Sequence, residues 1–199
     1  MRILMMCVAA CALVPSVSRA QAPAEGVPVF KITPVQSTIK FGVKASVPIE
    51  GNFKKWDATM TFTSTDPSTG VLDIKIDAAS VDTGSGMKDD KLRSKDFFNV
   101  KNDPYITFHS TKIVQTGADA FEVDGKFTIR GVTKDETLTL KVSGAGTGSG
   151  MITGTMAFDR KEYGMNSGIP FIKIADRVEV NVALKGDRIS GPPMVLKKF

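Results

Sequence analysis

Apolar and polar residues alternate with a period of two along most of the chain, the signature of strands with one dry and one wet face. The first clear run sets Ile39, Phe41, Val43, Ala45 and Val47 against Lys40, Gly42, Lys44 and Ser46, and residues 48–52 then read as a turn. A second run places Trp56, Ala58, Met60 and Phe62 on one side and Asp57, Thr59, Thr61 and Thr63 on the other, closed by the turn residues DPSTG at 66–70. In the third, Leu72, Ile74, Ile76 and Ala78 face away from Asp73, Lys75 and Asp77. The period then changes: charges cluster in KDDKLR, and Ser85 or Gly86 can start a helix from Met87 to Arg93. Leu92, Phe97 and Phe98 anchor that segment, and Asp103 before Pro104 ends it.

Strand spacing resumes over residues 106–114. In the fifth strand Phe121, Val123, Phe127 and Ile129 keep one phase through Asp124 and Gly125, so the turn is predicted at Arg130 and Gly131 rather than at the Asp-Gly pair. Leu138, Leu140 and Val142 mark the sixth strand, and GAGTGSG at 144–150 a flexible loop. Ile152, Gly154, Met156 and Phe158 mark the seventh, a single helical turn follows at 160–163, and Val178, Val180, Val182 and Leu184 mark the eighth. The last nine residues, GPPMVLKKF, fit no pattern. Eight one-faced strands must bury their dry faces together, in a closed barrel or a two-sheet sandwich.

The first 20 residues carry an early arginine, a short apolar run from Ile3 to Val14 and small residues at Ser18 and Ala20, which reads as a cleavable secretory signal. The run is shorter than the ~20 residues that span a bilayer. Cleavage is assigned after Ala20, with Ala22 as the alternative site; a lipobox ending at Cys11 would leave too short a leader. Residues 21–30 read as a tether, 31–186 as the folded domain and 187–199 as a tail. Both cysteines, Cys7 and Cys11, fall in the leader, so the exported chain would have neither disulfide nor thiolate site. Removing Arg2 and Arg19 leaves 24 bases against 21 acids, a net charge of about +3. That suits transient contact with an anionic membrane surface and is too dispersed for nucleic acid.

If the strands close into a barrel, ~9 residues per strand at ~3.3 Å rise and ~40° tilt enclose a tube a little over ~20 Å tall. Its inner face would hold Phe41, Val43, Trp56, Met60, Phe62, Ile74, Ile76, Phe108, Phe127, Leu138, Leu140, Met156 and Phe158, almost without charge. Such an interior is either a packed core or a bore for a long apolar ligand. Gly125 and Gly154 fall in the inward phase, where a missing side chain leaves room. His109, the only histidine, falls in the outward phase, and no nucleophile elbow, zinc helix or phosphate loop occurs, so neither catalysis nor a metal or cofactor is expected.

LRSKDFF at 92–98, FHSTKI at 108–113 and GKFTIRGVTKDETLTL at 125–140 together resemble the YceI-like family of bacterial proteins. One departure is at Gln36 and Ser37, where many members carry a histidine before the serine. The resemblance implies an all-β, eight-stranded antiparallel up-and-down lipocalin-like barrel, with the short helix between strands three and four. It implies a periplasmic carrier that holds a polyisoprenoid or quinone-like lipid among the inner-face residues above, and a homodimer is allowed. The KDDKLRSKDFF segment has two readings: Lys88, Lys91, Arg93 and Lys95 meet an anionic head group at a mouth guarded by Phe97 and Phe98, or Asp90 and Arg93 form a surface pair on a capping helix whose phenylalanines fill the barrel end; the resemblance favours the second. The rival reading is an interaction or stress-response module with a packed core.

Overall fold

The computed structural model describes residues 26–46, 48–144, 147–168 and 172–199; the predicted leader and cleavage sites lie outside these. Among the described residues the fold is all-β with one α-helix. Its strands are β1 (Val29–Ala45), β2 (Ile49–Phe53), β3 (Trp56–Thr61), β4 (Val71–Asp77), β5 (Val81–Asp82), β6 (Tyr105–Gln115), β7 (Ala120–Ile129), β8 (Val132–Ser143), β9 (Ser149–Asp159) and β10 (Ile174–Ser190), with α1 (Gly86–Arg93) between β5 and β6. They form one antiparallel sheet in the order β3-β4-β6-β7-β8-β9-β10-β1-β2-β5, curled into a half-barrel that brings β1 against β3.

Ten strands thus stand where the alternation predicts eight. The added pair is β2, which occupies the stretch read as a turn, and the two-residue β5. Gly51 and Asn52 carry the composition of a turn, yet Ile49 and Phe53 are buried at either end of β2. Gly51 is required there because a Cβ would stand 2.8 Å from the Phe41 ring. β2 passes to β3 through Lys54 and Lys55, and β4 to β5 through a 3-10 turn, Ala78–Ser80. Backbone bonds from Lys54 to Ser80 (3.1 Å) and from Asp77 to Lys55 (3.0 Å) bridge both interruptions.

The curl has identifiable causes. β1 bulges between Thr33 and Thr38, where the Ser37 hydroxyl donates to the Thr33 carbonyl (2.7 Å) and accepts from the Lys185 amide (2.8 Å). β6 bulges between Ser110 and Lys112, where the buried Ser110 hydroxyl accepts from the Leu72 amide at 2.8 Å. Each bulge sharpens the local twist, and each loose backbone group finds a hydroxyl. The β7–β8 hairpin turns at Arg130 and Gly131, with φ of 54° and 71°, as the unbroken phase of the fifth strand predicts. β1 begins inside the segment read as tether, and β10 runs four residues into the segment read as tail.

Candidate functional site

The interior of the curl has two unlike ends. At the end carrying α1, Phe41, Phe53 and Phe98 stack on one another with ring centroids 5.5 to 6.2 Å apart. Beside them Phe127, Phe158 and Tyr163 form a second triad at 5.1 to 5.6 Å. Tyr163 is wholly buried and donates to the Glu136 carboxylate at 2.7 Å; burial, then that carboxylate, push its phenol pKa up. The buried Arg160 guanidinium donates to the carbonyls of Met165, Ser167 and Ala175 and pairs with Asp176, tying the loop after β9 to β10. The space left at this end is about 60 Å³, and midway about 30 Å³.

At the opposite end a cavity of about 310 Å³ opens. Phe30 and Ile32 from β1, Met60 and Phe62 from β3 and its extension, Ile113 from β6, Phe121 from β7, Leu140 and Val142 from β8 and Ile152 from β9 line it. Pro193, Met194 and Leu196 of the C-terminal segment complete the wall. Arg188 is the one charged residue among the lining residues, and its guanidinium donates to the Gly191 carbonyl. At the rim the lining residue Ser149 donates to Asp187 at 2.6 Å, while Lys185 lies 3.4 Å from the same carboxylate. The serine bond, then the lysine, hold Asp187 below the ordinary carboxylate range against the opposing effect of burial.

The predicted inner face is therefore distributed over unequal spaces. Met60, Phe62 and Leu140 line the cavity opposite α1. Phe41, Val43, Ile76, Phe97, Phe98, Phe127 and Phe158 surround the small space at the α1 end. Ile74, Phe108, Leu138 and Met156 pack the middle. Trp56 instead lines a gap between β1 and the β2–β3 junction, beside Ser37 and Lys54. Gly125 and Gly154 are inward, but the room beside them is taken. A Cβ at Gly125 would lie 2.5 Å from Phe108 and 2.7 Å from the His109 carbonyl, and one at Gly154 would lie 2.5 Å from Leu140. These glycines let neighbouring side chains cross the interior rather than leaving it empty.

Lys91 and Arg93 sit at the aromatic end and are already engaged. Lys91 pairs with Asp96 at 2.6 Å; Arg93 pairs with Asp90 at 3.1 Å and donates to the carbonyls of Ala79 and Val81. His109 faces outward with Nδ1 2.6 Å from Asp73. Among the described residues no cluster of His, Cys, Asp or Glu is placed to hold a metal. The cavity residues absent from the predicted inner face have recognisable signals. Phe30 and Ile32 alternate with Lys31 and Thr33 across the boundary between the segments read as tether and as folded domain, and Ile113 and Phe121 carry the right phase near strand ends. The alternation of Met194 and Leu196 with Val195 and Lys197 spans too few residues to be distinctive.

The fold has counterparts among proteins to which the chain is similar. A 96-residue stretch is 41% identical to Protein YceI of Salmonella arizonae, covering 48% of this chain and 50% of that protein; the match thus spans about half the length of the curated relatives. The crystal structure of Burkholderia cenocepacia BcnA aligns at a TM-score of 0.71 with 29% identity over 78% of this chain and 99% of that one. Campylobacter jejuni YCEI protein aligns at 0.60 with 26% identity, covering 71% and 86%. A polyisoprenoid binding domain from Saccharophagus degradans shares the fold at 0.64 with 15% identity, covering 81% and 99%. The YceI-like domain model matches residues 30–186, which take in every strand but the two termini of the sheet's β1–β10 pair, and the chain belongs to that family.

Proposed function

We propose that this protein is an exported lipid-binding carrier that shields the apolar end of an isoprenoid or quinone-like lipid in the cavity opposite α1. The observation that carries the reading is a space of about 310 Å³ walled by apolar side chains with a single cation, Arg188, among them. Pockets that bury small ligands run from ~300 to ~1,000 Å³, so this one takes a short chain or the terminus of a long one. The packed middle stops a long chain from threading the whole interior. At ~0.8 kcal/mol per buried CH₂, ten carbons gain roughly 8 kcal/mol gross, part of which offsets the lost freedom of the ligand.

No bond is broken in this function; binding is burial, and Arg188 orients an anionic or polar head outward. The leader pattern of residues 1–20 supports periplasmic residence, and the mild basicity supports brief contact with an anionic membrane during loading. The bridged pairs β2–β3 and β4–β5 support treating each as one broken stave, which restores the eight-stave lipocalin-like barrel. Native mass spectrometry of the processed protein, followed by extraction of the bound material, tests the proposal. A stoichiometric apolar lipid is expected. A bare mass that also takes up no geranylgeraniol would overturn it in favour of a surface-acting module.

A further inference from the structure

The C-terminal segment stands apart from the sheet that supports it. β10 ends at Ser190, and Gly191 turns with φ of 78° against Val27 and Pro28, so closely that a Cβ would meet the Val27 carbonyl at 2.0 Å. Two prolines follow, and the chain then crosses the cavity opposite α1 with Met194 and Leu196 on its wall. Three hydrogen bonds hold the crossing. The Val195 amide donates to the Thr65 carbonyl at 2.9 Å. The other two join Lys197 to the Gln115 side chain: the Lys197 amide donates to Oε1 at 2.8 Å, and Nε2 donates to the Lys197 carbonyl at 3.1 Å. Gln115 is 8% exposed at the end of β6, and its buried amide holds this segment while Nε2 also donates to the Gly117 carbonyl at 3.0 Å.

No strand ladder secures residues 192–199, whereas most of the rest of the cavity wall belongs to laddered strands, with Phe62, Pro67, Gly144 and Gly148 on short connections between them. The α1 end is plugged by Phe41, Phe53 and Phe98, so the strapped end offers the shorter route inward. The match to the family model also stops at residue 186, before the strap begins. We propose that residues 192–199 are a removable wall pivoting at Gly191, which gates ligand entry and, through Met194 and Leu196, sets the length of apolar chain that the cavity accepts.

This inference rests on the lipid-binding reading, and the test separates the two. Farnesol and the longer geranylgeraniol are loaded on the full processed chain, on a chain ending at Gly191 and on Leu196→Trp, and their release and affinity are measured. Truncation is expected to speed release of both prenols about tenfold or more, the factor carried by roughly one hydrogen bond at the strong end of its net range. Leu196→Trp is expected to shift the preference from geranylgeraniol toward farnesol. Equal release from the full and shortened chains, with both still binding and the preference unmoved, would overturn the gate and leave the carrier reading intact. Uptake by neither chain would overturn both. If the shortened chain fails to give a native circular dichroism spectrum, Gln115→Ala decides by the same release rates, because it removes two of the three hydrogen bonds and keeps the wall.

Discussion

The two ends of the interior are built from the same kind of alternating strand, yet one is solid and the other hollow. Rings make the difference: at the α1 end Phe97 and Phe98 arrive from outside the sheet and fill the space between β1, β2 and β7. At the far end, among the described residues, no α-helix inserts, and an extended strap lays Pro193, Met194 and Leu196 over the opening. A one-faced strand thus decides which residues point inward. Whether the inside is core or cavity depends on what closes each end.

Truncating an aromatic at each end tests that contrast most severely. Phe98→Ala removes a ring from a packed cluster and is expected to cost about 3–5 kcal/mol in denaturant unfolding, because the surroundings cannot collapse into the hole. Phe62→Ala removes a half-buried ring that already faces empty space, and should cost roughly 1–2 kcal/mol while weakening lipid retention. Equal losses at the two sites would mean that the hollow end is as well packed in solution as the solid one.

The middle of the interior gives the next largest effect. Gly125→Ala would force a methyl against the Phe108 ring and the His109 backbone and should cost about 1–3 kcal/mol by overpacking, measured as a lowered denaturant midpoint at unchanged slope. A neutral substitution would show that the two spaces communicate past Phe108. The glycine also shows where the sequence stops being legible. Its inward phase is readable at a distance, but a glycine leaves the same trace whether the vacated space is empty or crossed by a neighbour's ring. The alternation likewise exposes Phe41, Phe62 and Phe127 as inward without revealing which of them border a cavity. β2 was hidden because Gly51 and Asn52 obey the rules for turns, and the strap because two apolar residues carry no period. What local pattern encodes is readable; what depends on contacts between distant segments, such as Phe98 upon Phe41 or Lys197 upon Gln115, is not.

Acid should loosen the carboxylate braces at both ends, three at the solid end and two at the strapped end. Asp82, Asp96 and Asp176 lie around α1 and the loop after β9, each held below the ordinary carboxylate range chiefly by a lysine hydrogen bond, from Lys54, Lys91 and Lys161 respectively. At the strapped end Asp66 and Asp187 are lowered mainly by Ser68 and Ser149. A carboxylate with a depressed folded pKa contributes stability that is present above its unfolded value and is lost as pH falls through the folded one. All five are solvent-screened, so the loss is modest. Amide protection, corrected for the intrinsic pH dependence of exchange, should fall around α1 as the carboxylates protonate; protection there that stays unchanged would count against lysine pairing as the local brace.

The smallest effect separates the ends by charge rather than by packing. Arg188 lines the hollow end, whereas Lys91 is paired with Asp96 beside the solid one. If a head group rests at the cavity rim, Arg188→Gln should reduce the preference for a prenyl phosphate over the matching prenol by roughly tenfold, the effect of one charge-assisted hydrogen bond. Lys91→Gln should leave that preference unchanged while releasing Asp96 from its partner. Thermal unfolding serves as the control for both, since substitutions at half-exposed charges seldom move stability by more than about 0.5 kcal/mol. A preference that follows Lys91 instead would place the head group beside Phe97 and require the aromatic plug to open. In that case the hollow end would be the place where the chain terminates rather than where it enters.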